Sequence, residues 1–206
     1  MRHLVPVSDM MHVVAAMTRP TRLDEEAVPS EEEEALAIDF EFARIARELK
    51  NSRRRVVGLL PTDGAVPTLD VGCELGRAIG FVTAGLVVLA DPERRSVPRG
   101  IVEGAVLARA VGSRVALVTA SRIAPTGDKV LAVKELLAFT EPARDHFHTL
   151  LLDLSGCAWP GELLTALSVL DGVILVGESG RTREADLAAQ LRVVPPELSL
   201  GVLLVE

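Results

Sequence analysis

The sequence predicts an α/β protein in which helices cover both faces of a doubly wound, mostly parallel sheet. Apolar runs of strand length alternate along the chain with helical patterns, as they do in folds of this class. The apolar runs are nearly continuous rather than alternating, which is typical of strands that are buried on both faces. With 206 residues, of which 49% are hydrophobic, the chain is long enough for one substantial core.

The first 31 residues predict an acidic, flexible segment that precedes the domain. Seven carboxylates lie between Asp24 and Glu34, and such charge runs are usually solvated. The helical pattern begins after this segment, where Leu36, Phe40, Ala43 and Leu49 recur near the 3.6-residue period. We therefore expect a helix over 32–50 and a single α/β domain over 32–206.

The remaining elements follow in strict alternation. Six strands are predicted, at Val56–Leu60, Leu86–Ala90, Val115–Thr119, Thr149–Asp153, Gly172–Val176 and Leu200–Val205. Helices are predicted over 67–80, 98–111, 129–140, 160–170 and 181–192. In this class of fold ligands bind at the carboxyl ends of the strands, so the residues there carry the functional argument.

Composition excludes several classes of function. The net charge of −7 gives no general basic field for nucleic acid. The absence of Tyr excludes tyrosine chemistry on this chain, and two cysteines fit a reducing compartment. The apolar runs are too short to span a bilayer, and no signal-peptide-like segment is present. We therefore expect a cytoplasmic protein.

The stretch from Val56 to Asp70 reads as a strand, a turn and a helix start, where a nucleotide-binding protein carries a Gly-rich loop. Such a loop needs glycines for close phosphate approach, a Lys for the β- and γ-phosphates, and a hydroxyl for Mg²⁺. This loop has few of these groups, because its positions are Gly64, Pro67, Thr68, Leu69 and Asp70. We expect ATP affinity too weak for physiological use, and hence no cofactor.

Two strands end in acidic residues. Asp91, with Glu93 two residues later, follows the second strand, and Asp153 ends the fourth. Strand-end carboxylates can support Mg²⁺ through water, or they can cap the following turn. Both alternatives stay open. His146 and His148 alternate on a strand, but two His alone are a poor site, so no metal is expected.

Taken together, these motifs resemble the bacterial tyrosine kinases (BY-kinases) of capsule and exopolysaccharide synthesis, within the MinD/ParA-like P-loop ATPases. The resemblance covers roughly residues 34–206. Val56 to Gly80 matches that family's Walker A strand, loop and helix without a gap, which places Thr68 at the Lys position and Leu69 and Asp70 at the Ser and Thr positions. Two further matches carry the resemblance: Asp91-Glu93-Arg95 with the second acidic motif, and His146 to Asp153 with the Walker B segment.

The resemblance also implies an oligomerisation motif and a mode of action. Glu41, Arg44 and Arg47 resemble the family's subunit-contact motif, although their spacing equally fits surface ion pairs on one helical stripe. The missing Lys, hydroxyls and tyrosine tail imply a catalytically inactive relative, a scaffold or regulatory module in exopolysaccharide synthesis or export.

The implied partners are a membrane polysaccharide co-polymerase, which would recruit the chain to the inner face of the membrane, a kinase paralogue, or a second copy of the chain. The alternative is an active ATP-binding protein, tyrosine kinase-like or MinD/ParA-like, that binds Mg·ATP through a non-standard loop.

Overall fold

In the part of the chain that the computed structural model describes, seven strands form one sheet and four helices pack against it. The structure describes residues 37–63, 65–85, 87–91, 106–120, 140, 144, 147–155, 157 and 160–206. The strands are β1 Val56–Pro61, β2 Val87–Asp91, β3 Val106–Gly112, β4 Val115–Ala120, β5 Thr149–Asp153, β6 Gly172–Glu178 and β7 Ser199–Val205. The helices are α1 Phe40–Ser52, α2 Thr68–Thr83, α3 Pro160–Leu167 and α4 Glu184–Val193.

The strand order in the sheet is β3-β4-β2-β5-β1-β6-β7. Every neighbouring pair is parallel except β3 and β4, which form an antiparallel pair at one edge. This topology confirms the mostly parallel, doubly wound sheet that the alternating pattern predicts, and all six predicted strands are present within one residue or two.

Helices cover both faces of the sheet, as predicted. Val57 and Leu59 of β1 point into a core with α1 and α2, while Val56 and Leu60 point into a second core with α3. All six residues of β1 are buried, so this strand lies between two apolar layers. That placement explains why its sequence is a continuous apolar run rather than an alternating one.

The prediction of a helix over 98–111 is wrong over the residues that the structure describes. Val106–Gly112 is strand β3, and it pairs antiparallel with β4, with an irregularity between Ala110 and Gly112. Residues 98–105 lie outside the described part of the chain. The run Leu-Ala-Arg-Ala at 107–110 favours a helix locally, but pairing with β4 outweighs that weak preference.

The other predicted helices are confirmed where they can be compared. The helices predicted over 32–50, 67–80, 160–170 and 181–192 correspond to α1, α2, α3 and α4 with shifted ends. The helix predicted over 129–140 and the N-terminal segment 1–31 lie outside the described residues, apart from residue 140. In the described part of the chain, no helix is both long and apolar enough to cross a membrane.

Asp171 ties β1 to the start of β6 at the amino edge of the sheet. Its Oδ2 accepts the backbone N–H groups of Arg55 at 2.9 Å and Val56 at 2.8 Å, and its Oδ1 lies 3.3 Å from Nη2 of Arg144. Burial disfavours the charged carboxylate, but the two backbone donors and the Arg144 charge outweigh it. The pKa of Asp171 is therefore held below its usual value.

The side chains of Arg54 and Arg55 also bind backbone carbonyls at this edge of the sheet. Arg54 donates to the carbonyls of Asp171 and Glu197, and Arg55 donates to the carbonyl of Phe147 at 2.7 Å. The side chains of Arg54 and Arg55 therefore hold the starts of the neighbouring strands together. Burial, together with the charges of Arg55 and Lys50, lowers the pKa of the neighbouring His148.

Replacing Asp171 with Asn should destabilise the fold in a pH-dependent way. At about pH 7 we expect a loss of about 1–3 kcal/mol in the free energy of unfolding, because Asn keeps an acceptor oxygen but gives the Arg55 and Val56 N–H groups and Arg144 no charged partner. Since the folded-state pKa lies below the unfolded value of about 3.9, the wild-type advantage is full well above that value and disappears as the pH falls through the folded pKa.

Urea unfolding of both proteins at several pH values measures this difference. Glu197→Gln, at an exposed position, is the matched control and should leave stability nearly unchanged at each pH. A difference between wild type and Asp171→Asn that does not change with pH would contradict the charged role of Asp171.

Candidate functional site

The loop between β1 and α2 lies at the carboxyl edge of the sheet, beside the ends of β5 and β6. Its position is fixed at both ends, because Thr62 N–H donates to the Val176 carbonyl at 2.8 Å and Val66 is buried in the core of α1 and α2. Gly64, the glycine of this loop, lies outside the described residues. The sequence therefore located the loop correctly at the edge where ligands bind in this class of fold.

Thr68 is turned into the protein. It is fully buried, its hydroxyl donates to the Val66 carbonyl at 3.2 Å, and its N–H donates to the same carbonyl at 2.8 Å. The position that the resemblance aligns with a phosphate-binding Lys thus holds a short side chain that bonds within the loop. A buried, inward-facing residue of this size gives phosphate no cationic partner.

The Asp63 side chain accepts a hydrogen bond from a backbone N–H group of the same loop. Its Oδ1 accepts the Ala65 N–H at 2.8 Å, which forms a small turn closed by a side chain. In a phosphate-binding loop, such N–H groups point at the ligand. Here a carboxylate of the chain itself takes that place, and its negative charge also opposes an incoming phosphate.

The start of α2 offers little to an anion. Pro67 has no N–H, and it precedes the helix without a side-chain cap. Asp70 adds an exposed negative charge to the first turn, whereas Leu69 packs against the core. A helix N-terminus ordinarily attracts anions, and these residues weaken that attraction.

Asp153 lies fully buried at the end of β5, in register with Leu59 of β1. Its Oδ1 accepts the Ser155 N–H at 2.9 Å, so it closes the turn that follows the strand. Of the two alternatives for this residue, turn capping has visible geometry. A metal-supporting role stays a prediction.

Asp91 is the last residue of β2, which pairs with β5 in a register that sets Ala90 beside Leu152. The backbone of Asp91 is therefore next to that of Asp153 at the same edge. Glu93 lies outside the described residues. No group of three or more His, Cys, Asp or Glu side chains close enough to hold a metal ion occurs among the described residues.

A pair of threonines links the loop to the turn after β6, and Thr62 was not singled out by the sequence. The hydroxyls of Thr62 and Thr182 lie 3.1 Å apart, and Oγ1 of Thr182 also accepts the Glu178 N–H at 2.8 Å. We call this pair the threonine clasp. The turn after β6 thus lies against the loop.

Two glycines make the clasp sterically possible. A Cβ on Gly177 would lie 2.7 Å from Oγ1 of Thr182, so only Gly lets this hydroxyl approach the strand. Gly180 adopts a φ of +77°, a conformation that other residues rarely take. Arg181 turns outward and pairs with Glu178 at 3.0 Å.

Glu41, Arg44 and Arg47 lie along α1, away from this site. Arg44 is shared between Glu41 and Glu48, each at 2.9 Å, and the hydrogen bond to Glu41 contributes most to raising the pKa of Arg44. All four side chains are exposed. Within one chain, Glu41 and Arg44 thus form surface ion pairs, and the subunit contact that the resemblance implies stays a prediction.

Comparison with solved structures identifies the fold. The kinase domain of the Escherichia coli tyrosine kinase ETK superposes with a TM-score of 0.59 at 14% identity, covering 92% of this chain and 85% of that domain. The VpsO kinase domain gives a TM-score of 0.59 at 15% identity, covering 84% and 94% of the two chains. A ParA family ATPase from Chlorobium tepidum gives 0.50 at 13% identity, covering 73% of each chain.

These similarities confirm the predicted resemblance at the level of the fold. The chain has the P-loop NTPase-like α/β architecture shared by BY-kinase domains and a ParA ATPase. No protein-family model matches the sequence, and no curated protein matches it. Because the identities are low, the geometry of the loop carries more weight for function than the neighbours do.

Removing the Thr182 hydroxyl should open the threonine clasp. We expect Thr182→Val to lower the free energy of unfolding by about 1–3 kcal/mol, because the Glu178 N–H and the Thr62 hydroxyl lose their shared partner. Thr165→Val is the matched control, since Thr165 is an exposed helix residue whose hydroxyl bonds only to the Gly161 carbonyl. Equal effects of the two substitutions in urea unfolding would show that the clasp adds nothing beyond an ordinary surface threonine.

Proposed function

We propose that this protein is a catalytically inactive relative of the BY-kinases that works as a binding module, and that its partners belong to exopolysaccharide synthesis or export. One observation carries the proposal. The loop at the carboxyl edge satisfies its own groups, with Asp63 bonded to Ala65 N–H and Thr68 bonded to the Val66 carbonyl. The loop that would hold phosphate in this fold instead forms hydrogen bonds between its own residues.

The loop lacks a positive charge that would attract phosphate, and it carries negative charges that repel phosphate. A charge-assisted hydrogen bond of the kind that a loop Lys gives to phosphate is worth about 1.5–3 kcal/mol. Thr68 supplies none of this, while Asp63 and Asp70 add negative charge to the loop and to the first helical turn. These effects act in the same direction, against ATP.

Among the described residues, the scaffold around this loop is kept. Strand β1 is buried, the threonine clasp holds the loop, and both helical layers are present. A fold retained without its phosphate chemistry supports a role in binding proteins. The resemblance points to a membrane polysaccharide co-polymerase or a kinase paralogue as partner, and to a cytoplasmic protein held at the inner face of the membrane.

A second candidate function is Mg·ATP binding through a non-standard loop. It is favoured by one observation, the buried carboxylate of Asp153 at the end of β5, where a Walker B residue would support Mg²⁺. A cation for the phosphates would then have to come from elsewhere, such as an arginine of another subunit.

Calorimetric titration with ATP, with and without Mg²⁺, separates the two candidates. For the binding module we expect no saturable heat at ligand concentrations up to about 1 mM, a level at which any binding contributes less than about 4 kcal/mol. Saturable micromolar binding that requires Mg²⁺ would overturn the proposal and support the second candidate. The titration uses the full chain.

A genetic experiment tests the same question in the cell. Asp153→Asn keeps the acceptor for the Ser155 N–H but removes the charge that would support Mg²⁺. In a strain that loses surface polymer when the gene is deleted, we expect this variant to restore polymer to at least about 80% of the wild-type amount, as a non-catalytic role requires. Asp186→Asn, at an exposed position of α4, is the control.

Immunoblotting must show equal protein amounts for this comparison. Failure of Asp153→Asn to restore polymer, with normal protein amounts and with Asp186→Asn active, would contradict the non-catalytic role. A deletion strain with unchanged polymer would instead contradict the pathway.

A further inference from the structure

Exposed apolar side chains collect at one edge of the sheet. Among the described residues, four of the seven large hydrophobic side chains that are exposed belong to α4 and β7, namely Leu191, Val193, Val202 and Leu204. The two on β7 are 44% and 54% exposed. Clustered apolar exposure of this kind marks surfaces that bind another molecule more often than isolated apolar residues do.

The strand at this edge has a register shift between Ser199 and Gly201, but it lacks the charges and prolines that also keep edges from pairing. In the described part of the chain β7 pairs with β6 alone, so its other side presents backbone N–H and C=O groups. Its sequence, from Ser199 to Val205, contains no charge and no Pro. Natural edges usually carry such residues to prevent pairing, so their absence favours an edge that is covered.

The two faces of β7 differ in what covers them. Leu203 is buried in the core with α1 and α2, and Val205 packs against the same core. Val202 and Leu204 point to the opposite face, where Cδ2 of Leu204 approaches Gly177 of β6. This face of β7 is open to solvent, since the side chains of Val202 and Leu204 are both exposed.

The flank of α4 beside that open face carries charges in a definite order. Leu187 packs on the core, and the helical period then puts Glu184, Leu191 and Arg192 on one flank. The right-handed crossover from β6 to β7 turns this flank toward β7. Glu184 lies at the start of the helix and Arg192 about 12 Å further along, near its end.

We propose that this edge binds a second copy of the chain, with the two β7 strands antiparallel about a two-fold axis. The sheet then continues from one copy into the other, and Val202 and Leu204 of both copies form an apolar strip that the second copy shields. The two α4 helices run antiparallel beside this strip. Glu184 of one copy then faces the partner's Arg192, and Arg192 faces the partner's Glu184.

Charge complementarity selects a second copy over a foreign strand. An acidic residue at one end of the flank and a basic residue at the other are self-complementary only when the two helices are antiparallel, which is the arrangement that a two-fold axis imposes. The antiparallel helices also place opposite dipole ends beside each other. This surface is separate from the Glu41–Arg44 pair on α1, and the inference does not depend on the proposed function.

Sedimentation equilibrium of the full chain tests the inference. We expect a wild-type dimer at about 50 μM, and we expect Leu204→Lys to raise the dissociation constant at least about tenfold, because it places charge in the strip. The matched control is Leu164→Lys, which changes a leucine that is 59% exposed on α3 and should leave the dimer intact. Circular dichroism confirms that each variant is folded.

A charge reversal gives a second, independent arm. Arg192→Glu should raise the dissociation constant about three- to tenfold, because it sets two like charges against each other across the axis. Adding Glu184→Arg to the same chain should restore the wild-type constant, since the order of charges is then inverted in both copies. A role confined to one chain would not give this rescue.

Three results would overturn the inference. One is a wild-type protein that stays monomeric at about 50 μM, a concentration that should populate an interface of standard size. Another is a dimer that Leu204→Lys and Leu164→Lys weaken equally. The third is a dimer that resists both Leu204→Lys and Arg192→Glu but is lost in Arg44→Ala, which would place the contact on α1.

Discussion

The structure depends on one strand that is buried on every side. All of β1 is inaccessible to solvent, β5 and β6 flank it in parallel, and an apolar core covers each of its faces. Its amino end is held by Asp171, and its carboxyl end is held where Thr62 reaches the Val176 carbonyl. A strand fixed in this way fixes the loop that leaves it, so the geometry at residues 62–67 follows from the packing of the whole sheet.

Most of the fold could be predicted because its main constraint is local in sequence. Strands buried on both faces must be apolar at successive positions, and six such runs are visible in the chain. The failure at Val106–Gly112 has a physical reason. Residues 107–110, Leu-Ala-Arg-Ala, favour a helix, whereas the strand state of this edge segment depends on pairing with β4. Pairing with a neighbouring strand cannot be read from the hydrophobic periodicity of the segment itself.

The candidate site, like the fold, could be predicted only where its constraints are local in sequence. The sequence fixes where the loop lies, because the distance from an apolar strand to the next helix is short. It could not show the threonine clasp, whose two residues are 120 positions apart, or the carbonyl contacts of Arg55, which reach 92 positions along the chain. The turn that Asp63 makes was within reach, since Asp directly before Gly is a strong turn signal. The sequence shows that phosphate-binding groups are missing from the loop, and the geometry adds that Asp63 and Thr68 form hydrogen bonds within the loop.

The small turn closed by Asp63 has a thermodynamic consequence. Under the proposed function the loop binds no nucleotide, so its free energy is not linked to the nucleotide pool. Hydrogen bonds made by Asp63 and Thr68 already order the described part of the loop. A binding module of this kind would present the same surface at this edge at any concentration of ATP.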